Sequence, residues 1–297
     1  MKTKVSLATF NIETYKRKQL RNTILMYLIL VLASCFYIIP IYVLLTTSLK
    51  DFSEVSLESM WNVPTNFSFE SFYQAFIGEP LEGKIGLKSN LFSSIKLVIP
   101  ATIFSALLGS INGYVLSKWK FRGSNIIFTL FLFGMFIPYQ SILIPLVEIL
   151  RSMNLYGTLF GLIFVHIIYG IPITTLIFKN YYDSIHQELL ESAKIDGSSI
   201  LEIYRYIIFP LSKPAFVVVI IWQFTTIWNE FLFASVITNR PDVQPVTVAL
   251  NNLAGSFVVE WNVQMAGAFM AALPTLLIYI LLQKYFIGGL LSGSVKG

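Results

Sequence analysis

Two histidines, one cysteine and 16 acidic residues are the groups this 297-residue chain offers for acid–base, nucleophilic or metal chemistry, and they are scattered. His166 lies inside an apolar run and His186 in the polar stretch that follows, so no His, Cys, Asp or Glu set stands at metal-ligand spacing. No nucleophile has a base and an orienting partner in the pattern. Catalytic residues, a resident metal and a cofactor are therefore expected to be absent, and the chain is not expected to be an enzyme. His166 reads as a hydrogen-bonded packing residue rather than a proton relay. The run Gly78–Ile85 has the Gly-x-x-x-x-Gly-Lys spacing of a phosphate loop. Ile85 stands where that loop needs a hydroxyl for magnesium, no apolar strand precedes it, and the run is acidic. It is a chance match.

Binding chemistry is better represented. The stretch Trp222–Glu230 holds Trp222, Gln223, Thr226, Trp228, Asn229 and Glu230 within an apolar run. Trp222, Thr226, Asn229 and Glu230 recur at steps of three or four, which predicts one helical face. Aromatic faces and amides are compatible with neutral polyhydroxyl molecules, which need no strong counter-charge. An acidic residue is costly in lipid, so Glu230 is a functional candidate facing the interior. The alternative is that Glu230, near one end of its run, pairs with a neighbour or reaches water. Asn112, Gln140 and Gln264 are weaker candidates of the same kind.

The elements that must position these residues follow from composition. The chain is 55% hydrophobic and 12% charged, against roughly 25% charged in an average soluble domain, and its mean hydropathy is +0.69. Lipid is the expected solvent. Apolar runs cover Ile24–Thr46, Asn90–Leu116, Ser124–Ile144, Thr158–Phe178, Ala215–Thr238 and Val263–Phe286. Each approaches the roughly 20 residues that cross a bilayer as a helix. Backbone groups in lipid must be satisfied within the segment, so an all-α membrane protein with six transmembrane helices is predicted. The first run is too long for a cleaved signal and lacks a small-residue cleavage site, so it reads as a retained helix. Cys35 can form no intrachain disulfide, being the single cysteine. Prolines 40, 100, 138, 172 and 274 should bend their helices. Gly109 and Gly113 match a Gly-x-x-x-Gly packing pair.

With the N-terminus inside, fifteen of the 21 Lys and Arg fall in inside segments, among them Lys16, Arg17, Lys18, Arg21, Lys118, Lys120, Arg122, Lys179, Lys194 and Arg205. Lys50, Lys84, Lys88, Arg151 and Arg240 fall outside. That bias places both termini in the cytoplasm. It also accounts for the net charge of +5 without nucleic acid. Residues 1–23 form a basic cytoplasmic arm, 24–88 the first span and a long external loop, 89–286 the membrane core, and 287–297 a cytoplasmic tail. The acidic external segment 47–89 suits either a soluble partner or a solvated connector.

One cytoplasmic loop, about Lys179–Pro214, is too long to be a mere connection. His186–Gly197 reads as a short helix with Ile185, Leu189 and Ala193 on one face, ended by Gly197. Ile200, Ile203, Tyr204, Ile207 and Ile208 then recur as a second amphipathic helix, ended by Pro210 and Pro214. Such a pair would present one side to a partner and pack the other under the membrane domain.

Glu191-Ser192-Ala193-Lys194-Ile195-Asp196-Gly197, followed by Ile207-Ile208-Phe209-Pro210, resembles the Glu-Ala-Ala loop of binding-protein-dependent (type I) ABC importer permeases. Ser192 replaces the usual first Ala and Phe209 the usual Leu. The resemblance implies that Glu191, Ser192, Ala193, Asp196, Gly197, Ile207 and Pro210 couple the chain to a separate ATPase, which holds the ATP and magnesium. Trp228-Asn229-Glu230-Phe231, Ala271-Ala272-Leu273-Pro274 and the tail Gly288–Gly297 look like the carbohydrate branch, specifically its maltose-type shorter permease. The implied partners are two ATPase subunits, a homologous second permease, an extracytoplasmic solute-binding protein and the lipid of a prokaryotic cell membrane. A permease for amino acids, peptides or polyamines is the alternative. An ion-coupled carrier would need buried mid-membrane carboxylates and would not need the Glu191–Pro210 loop.

The charge bias is tested by reporter fusions. A fusion near Asp196 should report cytoplasm and fusions near Glu70 and Asp242 the outside; a cytoplasmic signal from the Glu70 region would overturn this topology.

Overall fold

The computed structural model describes the backbone of residues 2–79, 84–119, 121–254 and 259–294, with side chains for 15–79, 85–119, 121–254 and 259–284. Lys120, Gly255, the middle of the phosphate-loop-like run and the end of the chain lie outside these. Helices dominate: α1 (Lys2–Ser48), α2 (Glu70–Ile77), α3 (Lys88–Lys118), α4 (Ser124–Phe136), α5 (Leu143–Ser152), α6 (Leu159–Asp183) and α7 (Gln187–Ile195). Then come α8 (Ile200–Ile203), α9 (Phe209–Leu211), α10 (Lys213–Trp228), α11 (Leu232–Ile237), α12 (Val246–Leu253) and α13 (Trp261–Ser294). The arms of the phosphate-loop-like run, Gly78–Glu79 and Lys84–Ile85, pair antiparallel as a small hairpin. That is not the strand-to-helix turn that cradles phosphate.

Stretches within α1, α3, α6 and α13 are each long and apolar enough to cross a membrane, and two bent helix pairs bring the possible spans to six. The predicted continuous helix Ser124–Ile144 is instead broken. Ile137 is extended, as a residue before proline tends to be, and Pro138 supplies no donor. The limbs Ser124–Phe136 and Tyr139–Ser152 meet at 93°. By contrast, helices run through Pro40, Pro100, Pro172 and Pro274. The predicted helix Ala215–Thr238 is also interrupted. It stops at Trp228, and α11 begins at Leu232.

The α3–α6 pair is the structural centre, because small residues let the two backbones meet. A Cβ at Gly109 would collide with the Thr174 side chain, and one at Gly113 would lie 2.8 Å from the Lys179 amide nitrogen. Thr174 Oγ1 donates to Ser105 O (3.0 Å) across the interface, or to Gly170 O (2.9 Å) within its own helix. Gln223 of α10 donates to Ser105 Oγ at 2.9 Å, tying a third helix to the pair. Beyond it, Leu97, Val98, Leu162, Val165, Ile227, Trp228, Phe233 and Ile237 form the main core. At the far end of α3, Asn90 donates to Pro241 O and Gln244 O (both 2.8 Å), fastening the 239–246 turn. The first span, by contrast, packs chiefly along α13.

Overpacking a tight helix contact costs about 1–3 kcal/mol. Gly109→Leu is therefore expected to cut the yield of folded, detergent-stable protein several-fold. Gly134→Ala, where a Cβ meets nothing within 4 Å, should leave it unchanged; size-exclusion profiles compare the two.

Candidate functional site

Two regions concentrate the predicted residues. In the first, α7 ends in a full Schellman turn: Ser198 N–H donates to Ala193 O and Gly197 N–H to Lys194 O, each at 3.0 Å. Gly197 has φ +82°, and a Cβ there would meet open space. The demand for glycine is therefore conformational rather than steric. Ser199 restarts the chain as a capping box, accepting from Glu202 N–H (3.3 Å) while its own N–H donates to Glu202 Oε2 (2.7 Å). Bonds from Ser199 hold the Glu202 carboxyl below its ordinary range. The cap is thus complete at neutral pH and fails as pH falls through that lowered value.

The inward face of α7 is turned one residue from the expected one. Leu190 and Ala193 are buried, Leu189 is exposed, and His186 precedes the helix in extended conformation. Two contacts from α3 and the turn after it set this rotation. Lys118 Nζ donates to Ile185 O at 2.7 Å, and Lys194 Nζ lies 4.1 Å from the centre of the Trp119 ring. The second amphipathic helix is also not regular: α8 leads into a π-turn over Tyr204–Ile208, in which Phe209 N–H donates to Tyr204 O. The wide turn precedes Pro210, whose ring would crowd the Tyr206 carbonyl in a regular helix. Ile203 and Ile208 are buried, Ile207 is half-buried, and Ile200 is exposed. Pro210 sits inside α9; the chain bends by 75° after Leu211, before α10.

Hydroxyls bind this projection to the bundle. Ser110 Oγ shares hydrogen bonds with Tyr182 OH (2.6 Å) and Tyr204 OH (2.8 Å). Tyr114 OH donates to Ile200 O (3.2 Å) and Tyr181 OH to Leu211 O (2.8 Å). Glu191, Ser192, Asp196 and Pro210 remain exposed, beside Ile195 and Leu201. The hydroxyl bonds mount the unit on α3 and α6.

The second region is a cavity of about 740 Å³ between α4, α6, α10 and α11. Trp222, Thr226, Asn229 and Glu230 all line it, joined by Tyr139, His166, Tyr169 and Gln223. Asn112, Gln140 and Gln264 do not line it; Gln264 instead donates to Leu250 O at 3.0 Å. Trp228 is core, its indole N–H donating to Ala271 O at 2.8 Å. Glu230 is not on the α10 face as predicted, because α10 has ended. Its Oε1 accepts from Phe233 N–H (2.6 Å) and its Oε2 from Ala234 N–H (3.2 Å), capping α11. His166 Nε2 lies 3.7 Å from Glu230 Oε2 and is buried without a hydrogen bond, contrary to the expected bonded packing role. Among the described residues, no group of three or more His, Cys, Asp or Glu could hold a metal.

A bundle of apolar helices around a largely apolar, aromatic-lined cavity with a few polar groups, and a helix–glycine–helix projection at one end, defines a membrane permease subunit. The family model described as "Binding-protein-dependent transport system inner membrane component" matches residues 105–287. The chain belongs to that family of inner-membrane transport components. It is 47% identical over 274 residues to a "Probable ABC transporter permease protein" of Pyrococcus horikoshii, covering 92% of this chain and 97% of that one. It is 36% identical to the xylose/arabinose import permease protein of Haloferax volcanii, covering 86% of this chain and 87% of that protein. The same fold appears in the crystal structure of a bacterial ABC transporter involved in the import of the acidic polysaccharide alginate. There the TM-score is 0.76 at 20% identity, over 89% of this chain and 95% of that one.

Tyr139 and Tyr169 escaped the sequence reading, and Gln223 was noted in its span but not placed on the lining face. The two tyrosines come from different elements, and aromatic residues recur in every span, so no local pattern marks them.

A left-handed non-glycine residue costs about 1–2 kcal/mol. Gly197→Ala is accordingly expected to speed hydrogen exchange in the last turn of α7, and Gly197→Asn to do so less. Unchanged exchange in both would contradict the conformational role of Gly197.

Proposed function

We propose that this chain is the shorter of two homologous permeases in an ATP-driven importer and forms half of the path for a carbohydrate. An extracytoplasmic binding protein delivers the solute, and two ATPase subunits engage the α7–α9 projection from the cytoplasm, where both termini lie. The charge bias supports that orientation. The observation that carries the solute assignment is the cavity: it offers Trp222, Tyr139 and Tyr169 rings beside Asn229, Thr226 and Gln223, with no Lys or Arg in its wall. Aromatic faces and amides of this kind suit hydroxyl-rich, uncharged molecules. The xylose/arabinose relative is consistent with that chemistry. Glu191, exposed on the outer face of α7, is suited to pair with a basic residue of the ATPase and fix register. Apolar Ile195 and Leu201 flank the contact.

Asn229, exposed at the cavity wall, is the sharpest test. Losing one hydrogen bond to a sugar hydroxyl costs about 0.5–1.5 kcal/mol, so Asn229→Ala should lower sugar uptake several-fold without disturbing assembly. Cysteine at 229, in a Cys35→Ser background, should react with a water-soluble thiol reagent and be slowed by substrate. No labelling in any state, ATP-bound included, would make this face buried packing. In the same assay Gly197→Pro should abolish uptake yet leave membrane insertion intact.

A further inference from the structure

Lys50 is the most unusual charged residue in the structure. It follows α1, yet it is only 2% exposed. Its ammonium donates one hydrogen bond, to Ser59 O at 2.6 Å. Among the described residues no carboxylate lies within ion-pairing distance of it. An ammonium carries three donors, and a buried charge is normally paired. A single neutral carbonyl leaves both its charge and two of its donors uncompensated. Lys50 also lines a second cavity, of about 440 Å³, whose other walls include Val43, Leu57, Met60, Trp261 and Met265. Lys50 thus borders a mostly apolar chamber built from α1, the start of α13 and the loop between α1 and α2, with Thr47 and Ser56 its other polar walls.

Depth identifies the kind of anion. From Arg21 to Ser48 the helix is about 40 Å long, at about 1.5 Å per residue. That matches the roughly 40–45 Å of a bilayer with its headgroups. With the Arg17–Arg21 cluster at one headgroup layer, Lys50 lies at the other. Trp261, 51% exposed at the mouth of the cavity, is the kind of residue that settles at that level. Both bounding helices are peripheral: the apolar stretch of α1 has none of its residues buried and that of α13 only 11%. Their groove is therefore open to lipid.

We propose that this cavity binds the phosphate headgroup of a phospholipid in the leaflet opposite the basic arm. Lys50 Nζ donates to a phosphate oxygen, and an acyl chain lies along Val43 and Met265 between α1 and α13. Apart from the hydroxyls of Thr47 and Ser56 the walls are apolar, which favours an occupant with a hydrocarbon tail over an acidic side chain of a docking protein. The bound lipid would pin α1, whose contacts with the rest of the chain run chiefly along α13.

The test uses the full purified chain in detergent, titrated with phosphatidylglycerol and followed by thermal unfolding and by native mass spectrometry. One lipid should be retained and raise the unfolding temperature, whereas diacylglycerol or inorganic phosphate should do neither. A charge-assisted hydrogen bond is worth about 1.5–3 kcal/mol. Lys50→Gln should therefore bind about tenfold more weakly or worse, and Lys50→Arg should retain the lipid. If Lys50→Gln does not fold, Met265→Trp fills the chamber, keeps the charge and should also displace the lipid. Equal retention in wild type and either folded variant would overturn the proposal, as would an equal response to inorganic phosphate alone. So would the absence of any lipid effect together with loss of binding-protein docking in Lys50→Gln, which would assign the charge to a protein partner.

Discussion

Close approach of α3 and α6 governs the geometry of the spanning region. In lipid there is no hydrophobic force between helices, so association rests on close packing and on hydrogen bonds across the contact. Gly109 and Gly113 remove the side chains that would hold the backbones apart, and Thr174 and Ser105 add bonds at the seam. Gln223 then fixes α10 against the same seam. With these three helices held, the polar and aromatic residues of α6 and α10 have a common wall to occupy. Shifting the α3–α6 contact by the width of a methyl group would move that wall and the loop attached below it.

Broken helices at the cavity are consistent with the same rule. Irregular backbone at membrane depth is tolerated where it is buried in protein or lines a cavity. The interruptions at Pro138 and at Asn229–Phe231 both lie beside the 740 Å³ chamber. The second frees the amides of Phe233 and Ala234, and the Glu230 carboxylate takes them both. A partly buried carboxylate in a mainly apolar span thus has a structural duty, and its remaining lone pairs face His166 and the chamber. Structural and solute-facing roles for Glu230 are compatible, because a carboxylate can accept about four hydrogen bonds.

The α7–α9 projection is small but firmly mounted. Its two ends are set by backbone devices, the Schellman turn at Gly197 and the capping box at Ser199, and its underside by tyrosine hydroxyls meeting at Ser110. A rigid mount of this kind suits the coupling role proposed for the projection. The exposed apolar residues Ile195 and Leu201 are what a partner surface would cover.

Much of this was legible from one dimension. Apolar runs near 20 residues and the Glu191–Pro210 spacing report local and membrane-scale constraints, and those act along the chain. The helix stop at Gly197 and the close-packing face formed by Gly109 and Gly113 were readable for that reason. The rotation of α7 onto Leu190 was not, because Lys118 and Trp119, contacts from a distant helix and the turn after it, select the buried face. Nor was the end of α10 at Trp228: an apolar sequence that continues to Thr238 carries no local breaker, and the carboxylate that makes the break tolerable folds back onto amides three and four residues ahead. The cavity itself belongs wholly to tertiary structure. Tyr139, in the short turn that follows α4, His166 and Tyr169 on α6 and Trp222 on α10 are brought toward one space only by the packing of these elements.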